Sequence, residues 1–213
     1  MADNSLDHVW LQDSGAALVP AQALCASDGF AISVLAVWPR ADLARRWQVG
    51  SQVSTVELGN NLQLNKKTVE RYLDLLSKVF IIYPLSGYSR NLRKEVTKSK
   101  KWYFYDNGIR NALINNFSPI ASRNDIGQLW EQYVIAERIK FNAYRKYQPE
   151  YFFWRTYDGQ EIDFLEQQNQ HLKAFECKWQ PRSVKKPLAF GKAYPEADFI
   201  IVDQTNYLDW IAG

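Results

Sequence analysis

The chain has 213 residues, 46% of them hydrophobic and 15% aromatic, enough to fill the core of one large domain or two small ones and too apolar for a disordered polypeptide. Its net charge of +3 is unevenly spread: residues 1–50 carry 3 basic and 5 acidic side chains, residues 51–125 carry 12 and 6, and residues 126–213 carry 11 and 12. The opening MADNSLDHVW lacks the basic n-region of a secretory signal, and the most apolar run, Phe30 to Trp38, is too short to span a bilayer, which argues against secretion and membrane insertion.

Residues 1–47 show no sustained helical or alternating period and read as a poorly defined leader. Ser54 followed by Glu57 has the spacing of a capping box, predicting a helix from there to about Leu62. Asn65 can cap a second helix, KKTVERYLDLLSKVF, whose Val69, Tyr72, Leu73, Leu76 and Phe80 form one apolar stripe. Two helices joined by a tight polar turn make a helix-turn-helix. The β-favourable runs FIIYPL and WYFY follow, separated by a loop in which Arg90, Arg93, Lys94, Lys98, Lys100 and Lys101 outnumber Glu95. Two strands closing on the second helix, with a basic loop at their tip, would complete a winged helix over residues 48–106.

From Gly127 to Tyr144 the pattern is that of a long helix with apolar side chains nearly all round, which predicts burial on more than one side and places Glu131 in apolar surroundings. The last third alternates strands and turns. YFFWRT and EIDFLE are separated by Asp158-Gly159, EIDFLE and HLKAFECKW by QQNQ, and DFIIVD forms a further strand after a helix within Lys186 to Tyr194. The predicted fold class is therefore α/β (α+β), a helix-turn-helix followed by a mixed sheet flanked by helices. Cys25 and Cys177 lack metal-site spacing, so zinc is not supported, and without a signal peptide they read as reduced thiols in a cytoplasm.

Three charged groups stand inside the predicted strands: Asp163, Glu176 and Lys178. Burying such groups is costly unless they are partnered. Side chains alternate along a strand, so Glu176 and Lys178 share one face and Cys177 takes the other, while Glu161 goes with Asp163. Pairing through QQNQ would bring Asp163 to Glu176 and Lys178. Two carboxylates at close range need a cation, and Mg²⁺ or Mn²⁺ suits such oxygen donors. A metal there would acidify a bound water and screen the charge of a phosphodiester transition state, with Lys178 assisting and Glu131 completing the ligand shell.

Asp163, and Glu176-Cys177-Lys178 after twelve intervening residues, resemble the signature of PD-(D/E)XK nuclease-like proteins. The wider set ELGNNLQLNKKTVERYLDLLSKVFII, GYSRNLRKEV, WYFYDNGIRNAL, GQLWEQYVIAERIK, FWRTYDGQEIDF and ECKW resembles the uncharacterised domain found at the C-terminus of prokaryotic AAA-type ATPases, over roughly Gln48 to Ala212. That resemblance implies a winged helix followed by a restriction-endonuclease-like core at 107–213. It implies an active-site set of Glu131, Asp163, Glu176 and Lys178, with Asp163, Glu176 and Glu131 as metal ligands. The chain has no GxxxxGK[ST] phosphate loop, so ATP is not an expected ligand, and residues 1–47 stand where the resemblance implies a lost ATPase region.

Lys66, Lys67, Thr68 and Arg71 open the second helix of the helix-turn-helix, where recognition helices meet nucleic acid, and Arg90, Arg93 and Lys94 lie in the basic loop. The leading functional expectation is a DNA-binding, metal-dependent nuclease. The competing one is a non-catalytic DNA-binding or docking module that serves an ATPase in trans.

Overall fold

Asn65 has an extended backbone and accepts the Thr68 amide on its side-chain oxygen at 2.9 Å, stopping one helix and starting the next. The computed structural model describes residues 55–90 and 100–213, which belong to a unit spanning Arg40–Gly213. The leader at 1–47, Ser54, Arg93, Lys94 and Lys98 lie outside the described residues. Helix α1 is Thr55–Leu62 and α2 is Lys66–Lys78. Between them Gln63 takes a positive φ of 56°, and the Leu64 amide donates to the Gly59 carbonyl at 2.8 Å. The turn folds back so closely that a Cβ on Gly59 would meet the Leu64 carbonyl oxygen at 2.6 Å, which explains the glycine.

Helix α2 buries Val69, Leu73 and Leu76, as its period predicts. Phe80 departs from the expected stripe. The helix ends at Lys78, and Phe80 turns out in a left-handed conformation (φ 58°), 72% exposed, with its ring edge against Tyr105.

Strands β1 (Ile82–Gly87) and β2 (Lys100–Phe104) pair antiparallel. Pro84 is tolerated because β1 is paired with its other neighbour only at Ser86 and Gly87, beyond the proline. That neighbour is β3 (Glu150–Arg155), which runs parallel to β1. The sheet continues through β4 (Glu161–Gln168), β5 (His171–Cys177) and β6 (Asp198–Val202), in the order β2-β1-β3-β4-β5-β6. It is mixed: the β1–β3 and β5–β6 pairs are parallel and the others antiparallel. The two strands expected to form a wing are therefore the edge strand β2 and its neighbour β1 in this sheet, which continues into strands beyond residue 106.

Helix α3 (Asn107–Leu113) is capped by Asp106, whose carboxylate takes the Gly108 and Ile109 amides. Helix α4 (Ile126–Tyr144) buries Trp130, Gln132, Val134, Ile135, Ala136 and Asn142, positions that fall on more than one side of the helix, as its sequence predicts. It rests against β2, β5 and the C-terminal helix α6 (Tyr207–Ala212). Helix α5 (Leu188–Ala193) carries the crossover from β5 to β6. Its Phe190, with Tyr194, packs on Trp154, Ile162, Leu165, Leu172 and Ala174 to form the core on one face of the sheet. Among the described residues no helix is long and apolar enough to cross a membrane.

Candidate active site

The strand that carries Asp163 is irregular at that residue. Phe152 pairs with Leu165 and Trp154 with Ile162, so two steps along β3 match three along β4, a bulge at Asp163 and Phe164. Ile162 and Leu165 consequently join the same core although their spacing would put them on opposite faces of a regular strand. On the other side, recorded pairing of β4 with β5 ends at Phe164 and Phe175. Just beyond, the Cys177 amide donates to Asp163 Oδ2 at 2.9 Å, a donor that a continuing ladder would direct at the β4 backbone.

Lys178 closes the arrangement. Its own amide is held by the Val202 carbonyl at 2.9 Å, and its ammonium lies 2.6 Å from Glu176 Oε1 and 4.0 Å from Asp163 Oδ2. The predicted meeting of two acids and one amine from adjacent strands is thus present. Glu131 reaches the same neighbourhood from α4, accepting the Tyr103 hydroxyl proton at 2.7 Å. The adjacent Gln132 fixes this part of α4 to β2 by accepting the Phe104 amide at 3.0 Å, and its amide group bonds Asn107.

Three neighbouring groups escaped the sequence-based site: Lys101, Tyr103 and Glu161. Lys101, counted in the sequence with the basic loop, is 2% exposed in β2, where it pairs with Glu161 and lies 5.2 Å over the Phe153 ring. Its burial follows from the β1–β2 register, which no local pattern announces. Glu161 also lies 3.7 Å from Arg155.

Crowding of acids in a partly dry site raises their proton affinity. Burial, reinforced by Asp163 and opposed by Lys101 and the Tyr103 hydrogen bond, pushes Glu131 up to about 8. Burial also raises Asp163, against the pull of Lys101, Lys178 and the Cys177 amide, and raises Glu176 together with Asp163, against Lys178. Burial acts against the Lys178 ammonium, but Asp163 and Glu176 outweigh it and its pKa lies above the ordinary value. The Cys177 thiol is buried and pushed well up, chiefly by burial, which makes it packing rather than a nucleophile.

The oxygen donors of Asp163 and Glu176 suit a hard divalent cation chemically, and burial of the two acids raises the proton affinity of both in spite of Lys178. Among the described residues, however, no three His, Cys, Asp or Glu side chains gather closely enough to hold a metal ion. Glu131 thus does not form a three-carboxylate nest with Asp163 and Glu176; Mg²⁺ or Mn²⁺ would rest on the latter two, with water completing its shell.

The described residues expected to bind nucleic acid lie on α2 and just after β1. Lys66, Lys67 and Arg71 are exposed on α2, Lys66 with Glu70 at 3.6 Å. Thr68 directs both amide and hydroxyl to the Asn65 side chain, so its first role is in the cap. Arg90, exposed after β1, donates its amide to the Tyr194 hydroxyl at 2.9 Å and places its guanidinium 5.6 Å above that ring.

Residues 43–119 match the model of a domain of unknown function (DUF8612), and residues 126–210 match that of a second domain of unknown function (DUF4143). An uncharacterized protein of Mycobacterium bovis and one of Mycobacterium tuberculosis are each 29% identical over 147 residues, covering 66% of this chain and 32% of theirs. The chain thus spans about a third of the length of the curated relatives it matches. No solved structure matches it.

Proposed function

We propose that this is a nucleic-acid-binding protein, acting on DNA in the cytoplasm, whose nuclease-like core hydrolyses phosphodiester bonds with Mg²⁺ or Mn²⁺. The observation that carries the proposal is the single Lys178 ammonium set against Glu176 and Asp163 from neighbouring strands. The metal, when bound, supplies Lewis acidity and lowers the pKa of water. Asp163 and Glu176 provide its carboxylate oxygens. Lys178 is placed to donate a hydrogen bond to a phosphate oxygen or to the attacking water, and its charge offsets that of the pentacoordinate phosphorus centre. Glu131, held by Tyr103, sets the charge balance around Asp163 from the helix side. The exposed Lys66, Lys67 and Arg71 of α2, with Arg90 and the loop residues Arg93 and Lys94, are the proposed phosphate contacts.

The test is a cleavage assay on duplex DNA, single-stranded DNA and RNA, with Mg²⁺ and with Mn²⁺. Nicking that needs the metal and disappears in Asp163→Ala and Lys178→Ala, while nucleic-acid affinity persists, is the expected result. A wild type that cuts none of these substrates with either metal overturns the hydrolase.

One observation favours a second reading: Glu131 is held by Tyr103 and Glu176 by Lys178, so these acids have internal partners. In that reading the chain is a non-catalytic DNA-binding or docking module that works with a separate ATPase. It predicts binding without hydrolysis, and Lys178→Ala would then change stability but no turnover.

A further inference from the structure

We propose that the outer surface of α5 and its flanking segments, on the side of the sheet bearing Glu176 and Lys178, is a track for a nucleic-acid strand, with Arg90, Arg182, Lys185 and Lys192 meeting its phosphates. The inference rests on the proposed nucleic-acid function and adds a binding surface distinct from α2. Leu172 and Ala174 lie in the core beneath α5, so strand alternation puts Glu176, and after it Lys178, toward that same side. Helix α4, with Arg138 reaching Glu166 and its contacts to β2 and β5, covers the other side.

The segment that leaves the site over this face is uniformly basic. Between Glu176 and Glu196 the sequence holds Lys178, Arg182, Lys185, Lys186 and Lys192 and not one acidic residue. Lys186 is committed internally, donating to the Ala197 carbonyl at 2.7 Å with its ammonium 5.7 Å over the Phe190 ring. That contact pins the loop to α5. Arg182, Lys185 and Lys192 are exposed and have no ion-pair partner among the described residues.

Arg90 arrives at the same place from a distant part of the sequence. It sits over Tyr194, whose ring packs 4.9 Å from that of Phe190, the ring beneath Lys186. Two basic segments, around residue 90 and residues 182–192, are thereby brought together on one small aromatic platform. Exposed cations without an ion-pair partner among the described residues suit a repeating phosphodiester backbone, which offers one negative charge per nucleotide and gains from releasing counterions. Salt-dependent, sequence-tolerant affinity follows from contacts of this kind.

The experiment measures fluorescence anisotropy of labelled single-stranded DNA, duplex DNA and RNA with the full chain in EDTA, so that no hydrolysis intervenes. Arg182→Glu with Lys185→Glu is compared with an equal charge reversal on the opposite side, Lys140→Glu with Lys146→Glu, after thermal melts show that both variants fold. The expected result is a loss of roughly tenfold or more for the first pair. The dependence of log affinity on log salt should also flatten by about 1.4–1.8, two phosphate contacts' worth. Equal losses in the two pairs, or no loss in the first, overturn the track while leaving the binding function intact. A wild type that binds none of the three probes overturns both.

Discussion

Asp163 accepts the main-chain amide of Cys177 at 2.9 Å, so the carboxylate stands in for backbone where β4 and β5 stop pairing. One side chain is thereby both a structural acceptor and a member of the charged cluster, and substitutions can separate the two roles. Asp163→Ala leaves the buried amide without a partner and should cost about 1–3 kcal/mol in urea denaturation at pH 7. Asp163→Asn keeps an acceptor oxygen and removes a buried charge, so it should cost clearly less. Both should abolish metal-dependent cleavage. Equal destabilisation by the two substitutions would show that the hydrogen bond contributes nothing.

Glu131 holds its proton more tightly in the folded protein than in the unfolded chain, with a pKa of about 8 against an ordinary 4.5. The folded state is therefore favoured most below about 4.5, and this contribution is lost as pH rises through about 8. Asp163 and Glu176 act in the same direction. Glu131→Gln should flatten the fall in melting temperature between pH 5 and 9, by roughly 2–4 °C for each kcal/mol of relieved ionisation cost. Parallel pH profiles for the variant and the wild type would refute this assignment.

At the start of α4 the opposite sign holds. Arg123, by hydrogen bonds at 2.8 Å, and Arg110, by one at 2.7 Å, draw Asp125 down to about 2, with burial opposing them. Its contribution is present above about 4 and disappears as pH falls through about 2. Melts from pH 5 to pH 2 should show a steeper acid limb in the wild type than in Asp125→Asn, which also loosens α3 from α4. An unchanged acid limb would mean that the two arginines do not stabilise the folded carboxylate.

Glu166 is 1% exposed and is clasped by Arg138 at 2.8 and 3.1 Å and by Asn142 at 2.7 Å, while Arg138 also caps the Trp210 carbonyl at 2.5 Å. Arg138→Met strands a carboxylate in the interior and should cost about 3–5 kcal/mol by denaturant titration. Replacing both, Arg138→Met with Glu166→Leu, should recover part of that loss. A double variant no better than the single one would place the cost in lost packing around Trp210 instead of in the orphaned charge.

Much of this architecture is legible in the sequence because it is locally encoded. Asn65 signals the second helix, Asp158-Gly159 the β3–β4 turn, and the apolar runs mark all six strands to within a few residues. Alternation alone brought Glu176 and Lys178 together, and the hairpin brought Asp163 to them. What the sequence withholds is non-local. The parallel β1–β3 pair joins segments more than sixty residues apart and turns the expected wing into part of the main sheet. The β1–β2 register likewise buries Lys101 beside Glu161, although in sequence it looks like one more loop lysine. Helices α3 and α6 are short and carry little periodic signal, and the bulge at Asp163 is invisible to a period-two reading.

The parallel seam between β1 and β3 has a mechanical consequence. Helix α2 abuts β1, β1 is stitched to β3, and β3 borders the strand that holds Asp163, so no swivel separates the helix pair from the acids. Under the proposed function, a nucleic acid held by those helices would reach Lys178 at a set span, in the manner of a ruler. Lengthening the β1–β2 connection would leave that span unchanged, whereas cutting the seam would release it.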